Sequence, residues 1–373
     1  MRRDGHVVPS NATDRCAHAV IGCGRVAPNH VDGIRHVDGF RVTWACDRDI
    51  AQARALASAC DIPHVTTDAA EVLDDPEIVS VSIAVDHAQH APLAAAALRA
   101  GKHVLLEKPI ALHLEEARAL HGLAVDRDVE LVVVSQHRYD PVVLTVGEWL
   151  VGGIVGDVVL ATGHVECGRD TSYYADSYWR GNLQGEGGSV LINQSYHCVD
   201  VLRSLCEGFT DAISMMHTFR HTDAMETEDT FAGVLRMSSG GLATISATAA
   251  GQTFWDCIIT IVGTEGTLAF SLNHPPKLLR WSGSPKLAAA VERFQCAAIT
   301  EEAAPGIDYY GISHRRQIAD FCRAVRGGPR PMVGADDAIE TLEVIDRLYR
   351  DARSSVADPR AGRPESVPAA AAP

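Results

Sequence analysis

Followed along the chain, the apolar residues keep one rhythm to about position 140 and a different one afterwards. In the first part, short apolar runs at 17–24 (AHAVIGCG), 40–47 (FRVTWACD), 79–85 (VSVSIAV), 103–108 (HVLLEK) and 131–136 (LVVVSQ) read as strands. Between them 49–60 (DIAQARALASAC), 91–101 (APLAAAALRAG) and 112–126 (LHLEEARALHGLAVD) have helical composition, the second closed by Gly101. Strands separated by helices of this length imply parallel βαβ units in a doubly wound sheet. Past Pro141 the helices thin out. From roughly 210 to 285 the chain carries β-rich runs such as 229–249 (DTFAGVLRMSSGGLATISATA) and 256–272 (DCIITIVGTEGTLAFSL) with glycine turns, which predicts a second domain built on an open, mainly antiparallel sheet. The expected division is a flexible N-terminus (1–15), an α/β dinucleotide-binding domain (16–140), an α+β domain (141–353) and a Pro/Ala-rich tail (354–373).

Composition narrows the class. A chain of 373 residues with 46% hydrophobic content can bury a substantial core. Its formal charge of −15 argues against a nucleic-acid surface, since phosphate binding depends on clustered Lys and Arg. The ten cysteines are scattered with no CxxC pair, the pattern of reduced, packed thiols rather than of disulfides or a zinc site. No signal-peptide h-region and no membrane-length apolar stretch stands in the sequence, so a cytoplasmic protein with no membrane partner is expected.

The first strand runs into Gly22-Cys23-Gly24-Arg25-Val26-Ala27, a GxGxxA turn. Glycines there allow the tight turn and let the backbone approach a pyrophosphate, which rests on amides at a helix N-terminus. Asp47 ends the next strand, where a carboxylate accepts from ribose hydroxyls and repels a 2′-phosphate; this favours NAD over NADP. Arg48 beside it has three readings: a stacker on adenine, a phosphate partner, or a solvated arginine opening a helix. At 193–200 (NQSYHCVD), Asn193, His197 and Asp200 fall at i, i+4 and i+7 on one helical face, beside an apolar stripe of Leu191, Ser195, Cys198, Leu202 and Leu205. Lys108, taken alone in Glu107-Lys108-Pro109, reads equally well as a surface cation at a strand end.

Together the GxGxxA turn, the Asp-ended second strand, AGKHVLLEKP (100–109), WRGNLQGEGGSVLINQSYHCVDVL (179–202) and GTEGTL (263–268) resemble the Gfo/Idh/MocA family of oxidoreductases, in this order and over about 17–354. The resemblance implies a Rossmann domain followed by an α+β domain. It places Lys108 beside the nicotinamide and the reacting carbinol, where an amine exchanges the hydroxyl proton as hydride moves. A Lys108-Pro109 bond in cis is also implied. The family carries Asp where this chain has Asn193; an amide orients partners but holds neither proton nor charge. Proton handling then falls to Lys108 and His197, with Asn193 orienting the substrate. Asp200 is expected to orient His197 or to serve a structural network.

The same resemblance assigns Gly22, Gly24, Arg25, Val26, Asp47, Arg48, Ala84, His87, His90, Glu107, Lys108, Gln136, Trp179 and Arg180 to the cofactor. To the substrate it assigns Lys108, Arg138, Tyr178, Asn193 and His197, Arg138 reading as well as a domain-interface ion pair. His87 and His90 have an HxxH spacing, but the family has a cofactor loop there, and no metal is expected. Tyr173, Tyr174 and Tyr178 form a sugar-stacking wall or a packing cluster. The implied activity is hydride transfer between nicotinamide and a ring alcohol or ketone, C3 favoured, of a sugar. Arg138, Arg169, Arg180 and Arg203 would suit a nucleotide sugar, and Glu166, Asp170, Asp176 and Glu186 an aminoglycoside-type amino sugar. The alternatives are an inositol or polyol dehydrogenase, an NAD-dependent glycosidase and a noncatalytic dinucleotide-binding sensor. An open sheet that must be covered implies a homodimer or homotetramer.

Overall fold

The computed structural model describes residues 16–206, 208–297 and 311–357; the expectations for 1–15 and for most of the tail lie outside them. The first part alternates without exception: β1 (Cys16–Ile21), α1 (Ala27–Arg35), β2 (Phe40–Cys46), α2 (Ile50–Ala59), β3 (His64–Thr66), α3 (Ala69–Asp74), β4 (Ile78–Ile83), α4 (His87–Arg99), β5 (His103–Leu106), α5 (Leu114–Arg127) and β6 (Leu131–Val133). Its six strands lie parallel in the order β3-β2-β1-β4-β5-β6. The order reverses direction beside β1, the switch point at which such sheets bind ligands. Because all strands run one way, the residues that follow them share one edge: Gly22, Asp47, Ala84, Lys108 and Gln136. β3 and α3 escaped the sequence reading because three and six residues are too short to show a period. Asp49 and Asp68 cap α2 and α3 by accepting from the amides of Ala51 and Ala70.

A 3₁₀ turn (Gln136–Tyr139) leads into α6 (Pro141–Val151) and β7 (Val158–Glu166). Two single turns, α7 (Ser172–Ala175) and α8 (Leu183–Glu186), precede a π-helical segment (Val190–Gln194) and α9 (Tyr196–Leu205). Then come β8 (Phe209–His217), β9 (Thr230–Met237), β10 (Leu242–Thr248), β11 (Asp256–Gly263), β12 (Gly266–Ser271), β13 (Lys277–Gly283), α10 (Pro285–Cys296), α11 (Gly311–Val325) and α12 (Ala335–Ala357). α12 continues past Ser354, where the loose tail was expected to begin.

The second sheet has the order β13-β12-β11-β7-β10-β9-β8 and is antiparallel except for the β7–β10 pair. Helices α9 and α12 cover one face closely. A Cβ on Gly163 of β7 would stand 2.7 Å from Cys198 Sγ, and one on Gly233 of β9 would stand 2.9 Å from Leu348 Cδ2. The other face is open, and Ile213 and Met215 of β8 are each 74% exposed on it. α11 returns to the first sheet, where Ile318, Phe321 and Cys322 complete the core formed by Val31, Ile34 and Leu56.

Candidate active site

The glycine turn separates two jobs. Gly22 sits at φ +92°, and a Cβ on it would lie 2.3 Å from the Ala84 carbonyl oxygen, so the residue is required by the close passage of β1 and β4. Gly24 has nothing within 4 Å of its would-be Cβ. That open space above the turn, at the start of α1, is what a pyrophosphate needs. Asp47 accepts from the Cys23 amide at 2.8 Å and from the Asp49 amide at 2.9 Å, which fixes its carboxylate against the turn. Arg25 and Val26 close the turn, with Val26 at the N-cap of α1. These residues fit a dinucleotide.

A strap from the second unit crosses this edge. Tyr178 donates to Asp86 at 2.5 Å, and the Arg48 guanidinium lies 4.2 Å over its ring. Tyr178 is thereby held against Asp86 and Arg48 at this edge. Trp179 packs on His87 with ring centroids 4.8 Å apart, and Arg180 lies over both Trp179 and Tyr173.

Lys108 follows β5, and its peptide bond to Pro109 is cis. Its Nζ donates to the Asn193 backbone oxygen at 2.8 Å and to Asn193 Oδ1 at 2.9 Å, so one residue from each unit meets here. Burial lowers the lysine to about 8; Glu107 and Glu186 oppose the shift and Arg180 adds to it. Asn193 in turn donates from Nδ2 to Glu186 Oε1 at 2.6 Å. Glu186 is buried and also accepts from the Gly181 amide at 2.6 Å. Burial pushes its carboxyl up to about 7 against the bonds from Asn193 and Gly181.

His197 does not share a regular helix with Asn193, as the i, i+4, i+7 reading required. Asn193 belongs to the π segment, Ser195 breaks it at φ −99°, and α9 opens only at Tyr196. The extra residue in the π turn swings Asn193 toward Lys108. His197 is half-buried and stands edge-on to His137, with centroids 5.2 Å apart. Burial, His137 and Lys108 hold it well below the ordinary histidine range, so the ring is neutral. Its Nδ1 has no hydrogen-bond partner among the described residues. His137 itself donates to Asp140 at 2.6 Å, a pair the sequence reading passed over although it stands in QHRYD at i, i+3.

Asp200 and Arg138 meet in an ion-pair network, one of the two readings the sequence left open for each. Asp200 does not reach the site: it is buried, accepts from Thr341 at 2.9 Å and pairs with Arg138 at 3.5 Å. Arg138 also faces Asp337 at 3.5 Å, and it lines a separate cavity of about 1440 Å³ that has none of Lys108, Asn193 and His197 in its wall. Its charge is engaged in these two ion pairs. Arg203 joins the same cluster through Asp337. His90 lies with Nδ1 2.6 Å from the Pro109 carbonyl and Nε2 3.2 Å from that of Val85, which leaves neither nitrogen for a cofactor. His87 donates to the Glu186 carbonyl at 3.0 Å.

Glu107 is buried and turned toward α1. It bonds to His30 at 3.1 Å and accepts from the Lys108 amide at 3.2 Å. His30 reaches Ser82 at 3.1 Å, and Ser82 reaches His18 at 2.9 Å, so a buried polar chain backs the lysine. Burial would raise the Glu107 carboxyl, but His30, His314 and Lys108 together take it down to about 2. Among the described residues, His30, Glu107 and His314 are the one group with metal-ligand types within 4.8 Å of one another. The bonds of His30 make it part of that hydrogen-bonded chain. Gln136 is buried, with both amide atoms unpartnered among the described residues. Arg169 donates to Gln194 at 2.7 Å, and Gln194 donates to Tyr173 at 3.0 Å. Of the acids expected to receive an amino sugar, Glu186 is spent on Asn193, Glu166 lies 3.4 Å from His164, and Asp170 and Asp176 are exposed.

A parallel sheet with an open glycine cradle at its switch point, joined by a lysine to a second open-sheet unit, defines a dinucleotide-dependent oxidoreductase. Residues 16–135 match the oxidoreductase family with an NAD-binding Rossmann fold, and residues 143–269 match the GFO/IDH/MocA C-terminal domain. The chain belongs to the Gfo/Idh/MocA family, and its cofactor is NAD. A curated relative, the D-apiose dehydrogenase of Paraburkholderia graminis, is 26% identical over 339 residues, covering 90% of this chain and 87% of the relative. The structure of the WlbA dehydrogenase of Bordetella pertussis, in complex with NADH and UDP-GlcNAcA, shares the fold with a TM-score of 0.81 at 23% identity, covering 92% of this chain and 97% of that one. GenD2 from gentamicin A biosynthesis, in complex with NAD, does so with a TM-score of 0.75 at 22% identity, covering 94% and 98%. No helix among the described residues is long and apolar enough to cross a membrane.

Proposed function

We propose that this enzyme transfers hydride between NAD and a ring secondary alcohol or ketone of a sugar, at C3, with Lys108 exchanging the hydroxyl proton. The observation that carries the reading is the Lys108–Asn193 meeting. Two of the three Nζ proton positions face Asn193 oxygens, and the third is left for a substrate oxygen. NAD, when bound, accepts the hydride in oxidation and returns it in reduction. In oxidation the neutral amine of Lys108 takes the hydroxyl proton; in reduction its ammonium gives one back. The neutral ring of His197 is the second partner for that oxygen, and Asn193 fixes the direction of the amine. Gly24 and the start of α1 receive the pyrophosphate, and Asp47 receives the adenosine ribose.

For the substrate, Arg169 and Arg180 remain near Gln194 and Tyr173, while Arg138 and Arg203 are spent on Asp200 and Asp337. Among the described residues Arg169 and Arg180 have no carboxylate partner, while Glu186 is engaged by Asn193, and this favours a sugar bearing an anionic group over an amino sugar. That preference agrees with the ligand of the WlbA neighbour. The uncovered face of the second sheet supports assembly as a homodimer or homotetramer.

The test is NADH formation with NAD or NADP and a panel of nucleotide sugars, amino-sugar antibiotics and inositols. Net NADH with an acidic nucleotide sugar is expected. Glycosidic cleavage without net NADH would instead identify a glycosidase, and binding without turnover a sensor.

A further inference from the structure

The mechanism gives Asn193 no charge, yet a carboxylate stands directly behind it. Glu186 ends the single turn α8, is fully buried, and has both oxygens engaged: Oε1 by Asn193 Nδ2 and Oε2 by the Gly181 amide, each at 2.6 Å. Burial pushes the Glu186 carboxyl up to about 7, so over the range in which Lys108 titrates, about 8, it is mainly a carboxylate, which accepts and does not donate, and the Asn193 NH₂ must turn toward it. The amide oxygen is thereby turned toward Lys108, which donates to it at 2.9 Å. With the amide reversed, an NH₂ would face an ammonium, and the lysine would lose its acceptor.

Resting on the proposed role of Lys108, we infer that Glu186 is a positioning residue of the reaction, acting through the Asn193 amide to fix the direction and the proton affinity of the lysine. The arrangement is a carboxylate set one hydrogen bond back from the amine it serves. Placed there, it supports the ammonium without forming the direct ion pair that would keep the proton from leaving. His87 from α4 holds the Glu186 backbone through its carbonyl at 3.0 Å. The other charged or titratable groups that act on it are Lys108, Tyr174, Glu228 and Tyr349, and Arg180 acts on Lys108. Among these, Lys108 is linked to it through a side chain that is itself bonded to both.

The experiment reads Lys108 directly. The full-length protein is labelled competitively with acetic anhydride across a pH series, and the Lys108 peptide is followed by mass spectrometry. Glu186→Gln is expected to lower the midpoint of Lys108 labelling by about one pH unit, because a nearby negative charge is removed and the amide is freed to turn. The double variant Glu186→Gln/Asn193→Asp restores a carboxylate beside the lysine and is expected to bring the midpoint back to at least the wild-type value. An unmoved midpoint in Glu186→Gln, or no recovery in the double variant, overturns the inference. Should Glu186→Gln fail to fold, Asn193→Ala breaks the same chain of bonds with Glu186 in place and must itself lower the midpoint. Turnover of Lys108→Ala separates this from the reading it rests on: an active Lys108→Ala ends the proposed mechanism, whereas an inactive one with an unmoved midpoint in Glu186→Gln ends only the role of Glu186.

Discussion

Tyr178 and Asp86 are joined by a 2.5 Å hydrogen bond that fastens the second unit to the edge of the first, beside the glycine turn. Tyr178→Phe removes the bond and keeps the ring under Arg48. Loss of one hydrogen bond to a carboxylate at a mostly exposed tyrosine is expected to raise the Kd for NAD about three- to tenfold. Titration of NADH fluorescence checks this, and kcat at saturating NAD should stay close to wild type.

Lys108, lowered to about 8 by burial, predicts opposite pH limbs for the two directions. Oxidation needs the free amine, so kcat for NADH formation rises as pH passes through about 8. Reduction needs the ammonium and falls over the same range. Lys108→Ala is expected to cost about 10²- to 10⁴-fold in kcat and to abolish both limbs. Profiles measured in both directions on one substrate pair decide it.

The two glycines of the turn should fail in different ways. Gly22→Ala puts a methyl 2.3 Å from the Ala84 carbonyl at a positive φ, and a loss of about 2 kcal/mol or more in stability is expected. Gly24→Ala meets open space, so its Tm should stay at wild type while NAD affinity falls about tenfold or more. Thermal melts with and without NAD separate the two.

Asp47 holds the turn through the Cys23 amide and faces the expected ribose. Asp47→Asn keeps an oxygen acceptor for that amide and removes the charge that repels a 2′-phosphate. The ratio of kcat/KM for NAD over NADP is expected to drop about tenfold or more, mainly through better use of NADP.

Ile213 and Met215 stand 74% exposed on the open sheet. Replacing both by Lys is expected to lower the assembly state seen by light scattering without unfolding the chain, because neither side chain belongs to the core.

What could be read from the sequence was local. Gly22 to Ala27, Asp47 and Lys108 are each defined by neighbours within a few positions, and the alternation of strands with helices announces the parallel sheet. What could not be read depends on partners far along the chain. Glu186 stood out only as one acid among several, because its meaning comes from Lys108, which lies before it by most of a domain. The i, i+4, i+7 reading of Asn193, His197 and Asp200 assumed an α-helix throughout, and a π turn carries no periodic signature in so short a run. Asp200 was drawn toward the site by spacing and Arg138 by resemblance, yet each found an opposite charge, from Asp337 of α12 or from the other. The chain through His18, Ser82, His30 and Glu107 joins two strands, a helix and the segment after β5, and no window of sequence contains it.

The return of α11 to the first sheet limits how this protein can be cut and recombined. A Cβ on Gly33 would stand 2.2 Å from Ile318, so the two helices are fitted to one another across almost the whole length of the chain. A nucleotide-binding fragment ending near residue 140 would leave an apolar socket bare where Ile318 and Phe321 now sit. The dinucleotide half is therefore no portable cassette: a chimaera that exchanges it must carry the α11 segment with it.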